Sequence, residues 1–135
     1  KVLKDVDSEI IIFSFGNVLD LSLDIADELN CSLIDMRFIK PLDEELIEKY
    51  AKNCKHLISI EENVISGGAG SAINEFLSTI GFSEKLKIFA IPDEFPIVGN
   101  QSDQREAAGL TKKEIIRKLS LELNLEDLNK KISTQ

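Results

Sequence analysis

Tryptophan is missing from this 135-residue chain, histidine and tyrosine each occur once, and cysteine occurs only twice. With so few histidines and thiols, the usual transition-metal ligand sets are out of reach. Cys54-Lys55-His56 offers two candidate ligands with no third nearby, which makes a poor metal site. Cys31 opens an apolar run and Cys54 lies in a polar stretch, so the pair reads as free thiols rather than a disulfide framework, consistent with a reducing, cytoplasmic setting. No apolar run is long enough to span a bilayer and no signal peptide is visible. Basic residues are scarce too: 16 Lys and Arg against 24 Asp and Glu leave a formal charge of −8. Such a field repels phosphate backbones and anionic membrane surfaces, which argues against nucleic acid and lipid as partners.

What is present is an alternation of short apolar strands and amphipathic helices. Ile10–Phe15 is an apolar, β-branched run of buried-strand length, and Ser32–Asp35, Leu57–Ile60 and Leu86–Ile91 read as three further short strands. Between them, Val18, Leu21, Ile25, Ala26 and Leu29 recur at helical spacing, as do Leu46, Ile47 and Tyr50 behind an Asp43 N-cap, and Ile73, Phe76, Leu77 and Ile80 ahead of a Gly81 stop. A short helix is predicted near Ser102–Ala108, and a capping box of Thr111 with Glu114 opens a last helix carrying Ile115, Ile116, Leu119 and Leu123. This order predicts an α/β fold, a three-layer α/β/α sandwich around a mainly parallel sheet. The chain begins at Lys1 without an initiator Met, and its polar opening residues read as a linker remnant. The expected organisation is therefore a linker over residues 1–8, one domain over 9–124 and a polar tail over 125–135.

Two loops carry the chemistry-bearing residues, both at the carboxyl ends of predicted strands, where open α/β sheets gather their sites. The first holds Asp35, Arg37 and Lys40. Arg37 could clamp a carboxylate or phosphate, or pair with a neighbouring carboxylate. The second runs from Glu61 and Glu62 into the glycine loop with Gly67, Gly68, Gly70 and Ser71. Backbone N–H groups of such a loop can cradle an anion at a helix N-terminus. The loop lacks the Lys of a P-loop and misses the G-x-G-x-x-G spacing, so tight helix packing explains its glycines better. Adjacent strand residues point to opposite faces, so Glu61 and Glu62 do not converge as an acid/base pair; one of them can instead accept hydrogen bonds from the loop amides. A hydrolase built on either glutamate has the weakest footing, since no nucleophile or metal stands opposite. Phe38 and Phe95 fall in loops and suit a contact surface.

Read together, Asp35-Met-Arg-Phe-Ile-Lys-Pro-Leu-Asp43, Ile60-Glu-Glu-Asn63, Gly67-Gly-Ala-Gly-Ser71, Asn74-Glu75, Ile91-Pro-Asp93 and Gly109-Leu-Thr111 resemble the C-terminal domain of the 1-deoxy-D-xylulose-5-phosphate synthases, over about Ile10 to Leu123. The looser pattern is shared with transketolases. The resemblance implies a transketolase C-terminal-like sandwich of about five strands, one of them antiparallel, with the fifth expected near Phe95–Val98. It also implies a parent transferase that condenses pyruvate with glyceraldehyde 3-phosphate, releases carbon dioxide, and supplies isoprenoid and thiamine precursors. Such parents use thiamine diphosphate and magnesium and work as homodimers. Their Gly-Asp-Gly diphosphate motif does not occur in this sequence. The expectation is a non-catalytic assembly domain, inactive alone, without a cofactor of its own, whose partners are the other domains of the parent chain. The rival expectation is an independent small-anion-binding module built on Gly67–Ser71.

Overall fold

The computed structural model describes residues 1–37, 42–64, 68–91 and 99–123. In chain order the strands are β1 (Val2–Lys4), β2 (Ile10–Ser14), β3 (Ser32–Asp35), β4 (His56–Val64) and β5 (Leu86–Ile91). The helices are α1 (Leu19–Leu29), α2 (Glu44–Asn53), α3 (Ala69–Ile80), α4 (Gln101–Ala107) and α5 (Lys112–Glu122). The strands form one sheet in the order β1-β3-β2-β4-β5. β2, β3, β4 and β5 are parallel, and β1 runs antiparallel along the outer edge of β3.

Strand alternation sorts the core into two layers. Ile10, Ile12, Leu33, Ile58 and Ile60 face one side, where they bury Leu21, Ile25 and Leu29 of α1 and Ile115 and Leu119 of α5. Ile11, Phe13, Ile34 and Leu57 face the other, against Ile47 and Tyr50 of α2 and Ile73 and Leu77 of α3. Each fully buried Ile or Leu is worth roughly 1.5–3 kcal/mol, so a sheet covered on both faces needs the unbroken apolar runs that the central strands carry. The three-layer mixed α/β fold is thus the one anticipated. No helix among the described residues is long and apolar enough to cross a membrane.

The helix boundaries follow their local chemistry. Asp43 Oδ1 accepts from the Leu46 N–H at 3.2 Å and caps α2, and Gly81, at φ 82°, ends α3 in the left-handed conformation. At α5 only half of the expected capping box forms: the Thr111 hydroxyl accepts from Glu114 N–H at 3.3 Å, while the Glu114 carboxylate turns to Arg117. A full box opens α4 instead, between Asn100 and Asp103.

The expected strand near Phe95–Val98 lies outside the described residues. The antiparallel strand is β1, inside the stretch read from sequence as a linker, with Val2 opposite Ile34. The chain after it is also tied down. Ser32 Oγ donates to Val6 O at 3.1 Å and accepts from Val6 N–H at 3.0 Å, and Tyr50 donates to Asp5 at 3.1 Å. Polar anchors of this kind leave no hydrophobic period, so the segment had no strand signature in the sequence.

Candidate functional site

The order β1-β3-β2-β4-β5 reverses direction between β2 and β4, and the carboxyl ends of those two strands border the crevice where open α/β sheets hold ligands. Leu57 faces the α2/α3 layer, Ser59 and Glu61 continue that side, and Ile58, Ile60 and Glu62 take the other.

Glu61 is fully buried. Its Oε2 accepts from Ala69 N–H at 2.6 Å and its Oε1 from Gly70 N–H at 2.9 Å, so the carboxylate caps α3 from the neighbouring strand. The N-cap residue Gly68 supplies no side-chain cap of its own. Helix amides left without intrahelical acceptors favour negative charge, which is why a buried carboxylate is tolerated here. The glycines make the approach possible. A Cβ on Gly68 would sit 2.5 Å from Glu61 Oε1, and one on Gly70 would sit 2.8 Å from Ser59 Oγ and 2.9 Å from Ile88 Cγ2. Gly68 has φ −96°, a conformation open to any residue, so closeness rather than torsion calls for glycine there.

On the opposite face Glu62 pairs with Arg105, reached from 43 residues away. Arg105 also bridges to Asp20 at 3.4 Å and donates from Nη2 to Asn17 O at 2.6 Å. One guanidinium thereby joins the end of β4, the turn after β2 and α4. Burial works to lower the Arg105 pKa, but the hydrogen bond and charge of Glu62, with Asp20 behind them, outweigh it and raise the value above the ordinary guanidinium range.

The other candidates are placed separately. Asp35 Oδ1 accepts from Arg37 N–H at 3.2 Å and its Oδ2 lies 3.5 Å from Arg37 Nε. Arg37 is in the left-handed region at φ 55°, with its side chain largely exposed. Ser71 lies in the first turn of α3, while Lys40, Gly67, Phe38 and Phe95 lie outside the described residues. Cys54 and His56 sit at the amino end of β4, the opposite edge of the sheet, where Cys54 Sγ donates to Ser8 O at 3.6 Å. Among the described residues no three His, Cys, Asp or Glu side chains group as a metal site. Arg105, Asn17 and Asp20 were missed from sequence. Their separation along the chain leaves no local signal, since only the fold brings them to Glu62.

The Glu61 carboxylate is shielded from substrate and both its oxygens accept backbone bonds, and Glu62 is ion-paired. The two point to opposite layers and cannot share a proton at one reacting atom.

Residues 1–115 match the family described as transketolase, C-terminal domain. The chain belongs to that family. This transketolase C-terminal domain is 43% identical over 117 residues to a 1-deoxy-D-xylulose-5-phosphate synthase of Hamiltonella defensa subsp. Acyrthosiphon pisum, a match covering 87% of this chain and 19% of that protein. It is also 43% identical over 110 residues to the synthase of Blochmanniella pennsylvanica, covering 82% of this chain and 18% of the relative. The chain thus spans about a fifth of the length of the curated relatives it matches. Among solved structures, a split-gene transketolase described as an inactive beta4 tetramer superposes with a TM-score of 0.70 at 23% identity, over 98% of this chain and 42% of that one. Transketolase from Campylobacter jejuni gives 0.59 at 20% identity, over 87% and 18%. At those identities the superpositions establish the fold of the domain and nothing further.

Proposed function

We propose that this transketolase C-terminal domain is the non-catalytic assembly domain of a 1-deoxy-D-xylulose-5-phosphate synthase. The parent enzyme, a cytoplasmic homodimer, joins pyruvate to glyceraldehyde 3-phosphate with loss of carbon dioxide and feeds isoprenoid and thiamine precursor synthesis. Thiamine diphosphate and magnesium would be held elsewhere in that parent. The residues of this chain do not fit them: the sequence has no Gly-Asp-Gly, and the described side chains form no acidic or histidine cluster for the metal. No step of the thiamine chemistry is therefore assigned to this chain.

The observation that carries the reading is the internal use of both strand-end glutamates, Glu61 by the α3 amides and Glu62 by Arg105. A domain whose candidate acid and base are spent on its own helix amides and its own arginine contributes by holding neighbouring elements in register, and small misplacements of reacting groups cost large factors in rate. The same observation weighs against the small-anion module, because the amides that would grip an anion already hold Glu61. Calorimetric titration of the 135-residue chain with thiamine diphosphate and magnesium is the test. Background heats and no pyruvate consumption are expected; saturable binding or turnover of pyruvate by this chain alone would overturn the proposal.

A further inference from the structure

β1 enters the sheet beside the carboxyl end of β3. Lys1 N donates to Asp35 O at 2.7 Å, and the Asp35 N–H donates to Lys1 O at 2.9 Å. Polypeptide leading into Lys1 therefore joins the domain two residues from Arg37. Among the described residues only Arg37 and Asn30 are non-glycine residues in the left-handed region, which costs free energy for a side chain with a Cβ. Asn30 ends α1, where asparagine is well suited. Arg37, at φ 55°, gains little from inside the domain in return. Its Nε lies 3.5 Å from Asp35 Oδ2, its side chain is 59% exposed, and an exposed ion pair of this kind contributes little stability. Among the described residues its Nη1 and Nη2 groups meet no acceptor. Two large apolar side chains of β1, Val2 and Leu3, are exposed at the same corner of the sheet. We propose that this corner, Arg37 with Val2 and Leu3, is the surface on which the preceding part of the parent chain seats, and that Arg37 grips a carboxylate presented by that part.

The occupant follows from continuity and from chemistry. The inference rests on the reading of this chain as the C-terminal domain of a longer synthase, of whose relatives it spans about a fifth. A preceding part is tethered at Lys1 and so faces this corner at high effective concentration. The Asp35 carboxylate holds both the Arg37 N–H and Nε, which fixes the direction of the guanidinium and leaves its outer N–H groups for two carboxylate oxygens. Exposed apolar neighbours and an arginine are a composition that protein interfaces favour. A small free anion is the poorer occupant, because ligand sites are concave and Arg37 stands out from a sheet edge. Strain that the domain does not recover within itself is accounted for by a contact made outside it.

The test is hydrogen exchange, read by mass spectrometry, on the full-length parent and on the 135-residue chain, each in its natural form and as Arg37→Ala. In the parent, Arg37→Ala should speed exchange of the β1 amides by about tenfold, and in the 135-residue chain it should leave them unchanged. Equal acceleration in both proteins would make Arg37 a local structural residue, and no acceleration in either would leave it without the proposed contact; each overturns the proposal. Arg37→Lys keeps the charge but loses the fork and should fall between the natural parent and Arg37→Ala. Arg117→Ala is the matched control, since Arg117 is 54% exposed and makes one ion pair with Glu114 on α5. It should leave β1 exchange in the parent unchanged, and an effect equal to that of Arg37→Ala would count against this corner. Should Arg37→Ala unfold the parent, Arg37→Gly, which suits φ 55°, carries the same comparison. A parent that responds as expected but does not join pyruvate to glyceraldehyde 3-phosphate would overturn the functional reading and leave the docking surface standing. A working synthase in which Arg37→Ala changes nothing would do the reverse.

Discussion

Gly68→Ala isolates the contact on which the strand-end geometry turns. The new methyl would lie 2.5 Å from Glu61 Oε1, 2.7 Å from Oε2 and 2.8 Å from Cδ, well inside van der Waals contact. Backbone torsion raises no objection, because φ −96° and ψ 177° suit alanine. Taken alone, the lower entropy of the unfolded chain would stabilise the variant by about 0.4–1 kcal/mol. Against that stands the carboxylate, which is fully buried on a central strand and has to withdraw from both amides. Hydrogen bonds to a charged group contribute about 1.5–3 kcal/mol each, and a displaced buried charge costs more. The clash wins, and Gly68→Ala should lower stability by about 3 kcal/mol in urea unfolding, with the m-value unchanged. The decisive measurement is the double-mutant cycle with Glu61→Ala. With the carboxylate gone the methyl has space, so Gly68→Ala should then cost less than about 0.5 kcal/mol or become stabilising, giving a coupling of about 2 kcal/mol or more. Equal costs in the two backgrounds would refute the reasoning, as would a single-variant cost below about 1 kcal/mol.

Three further expectations concern the rest of the molecule. Arg105→Ala strands the part-buried Glu62 and opens the link to Asp20 and Asn17, so a loss of about 2–3 kcal/mol is expected in urea unfolding; Arg105→Lys should recover less than half of it, because one ammonium cannot span three partners, and full recovery would count against the three-way clasp. Burial, then the hydrogen bond and charge of Asp5, raise the Tyr50 pKa to about 12. The neutral phenol is therefore favoured in the fold: its contribution is fully present below pH of about 10 and is lost as pH rises through the folded value. Between pH 8 and pH 11 the natural chain should lose about 1 kcal/mol more stability than Tyr50→Phe, after allowance for solvent screening, and parallel pH profiles would contradict this. Arg37→Gly removes a left-handed arginine and one exposed ion pair with Asp35 but adds unfolded-state entropy, terms of about 1 kcal/mol or less that oppose one another, so its stability should match the natural chain within about 0.5 kcal/mol by the same urea assay.

Much of the architecture could be read directly, because each signal was local. The short runs Ser32–Asp35 and Leu86–Ile91 are the strands β3 and β5 to the residue, and the Asp43 cap and Gly81 stop act on their own turns. Strand alternation alone separated Glu61 from Glu62. What escaped is what the fold assembles over distance. β1 is three residues long and owes its place to an edge of β3 and to polar anchors on Ser32 and Tyr50. β4 continues to Val64 through two charged residues that carry no strand pattern, because Glu61 is neutralised by a helix start and Glu62 by Arg105. The Thr111–Glu114 pair shows the converse case. Its sequence spells a capping box, but Arg117 one turn on draws the glutamate away, and a charged partner outcompetes a backbone amide.

The brace reading has a thermodynamic root in where the anion for α3 comes from. A loop completed by a dissolved ligand is stable only to the extent that the ligand is present, and its stability varies with ligand concentration. Here the anion is covalently part of β4, eight and nine residues before the amides it meets, so the first turn of α3 is capped without any external ligand. On the other face Arg105 closes the sheet end with a cation that is likewise part of the chain. A sheet end fixed on both faces from within varies little with substrate or product. That invariance is of little use to a site that must admit, turn over and release a ligand, and it is what a domain needs if neighbouring parts of an enzyme are to be held in constant register against it.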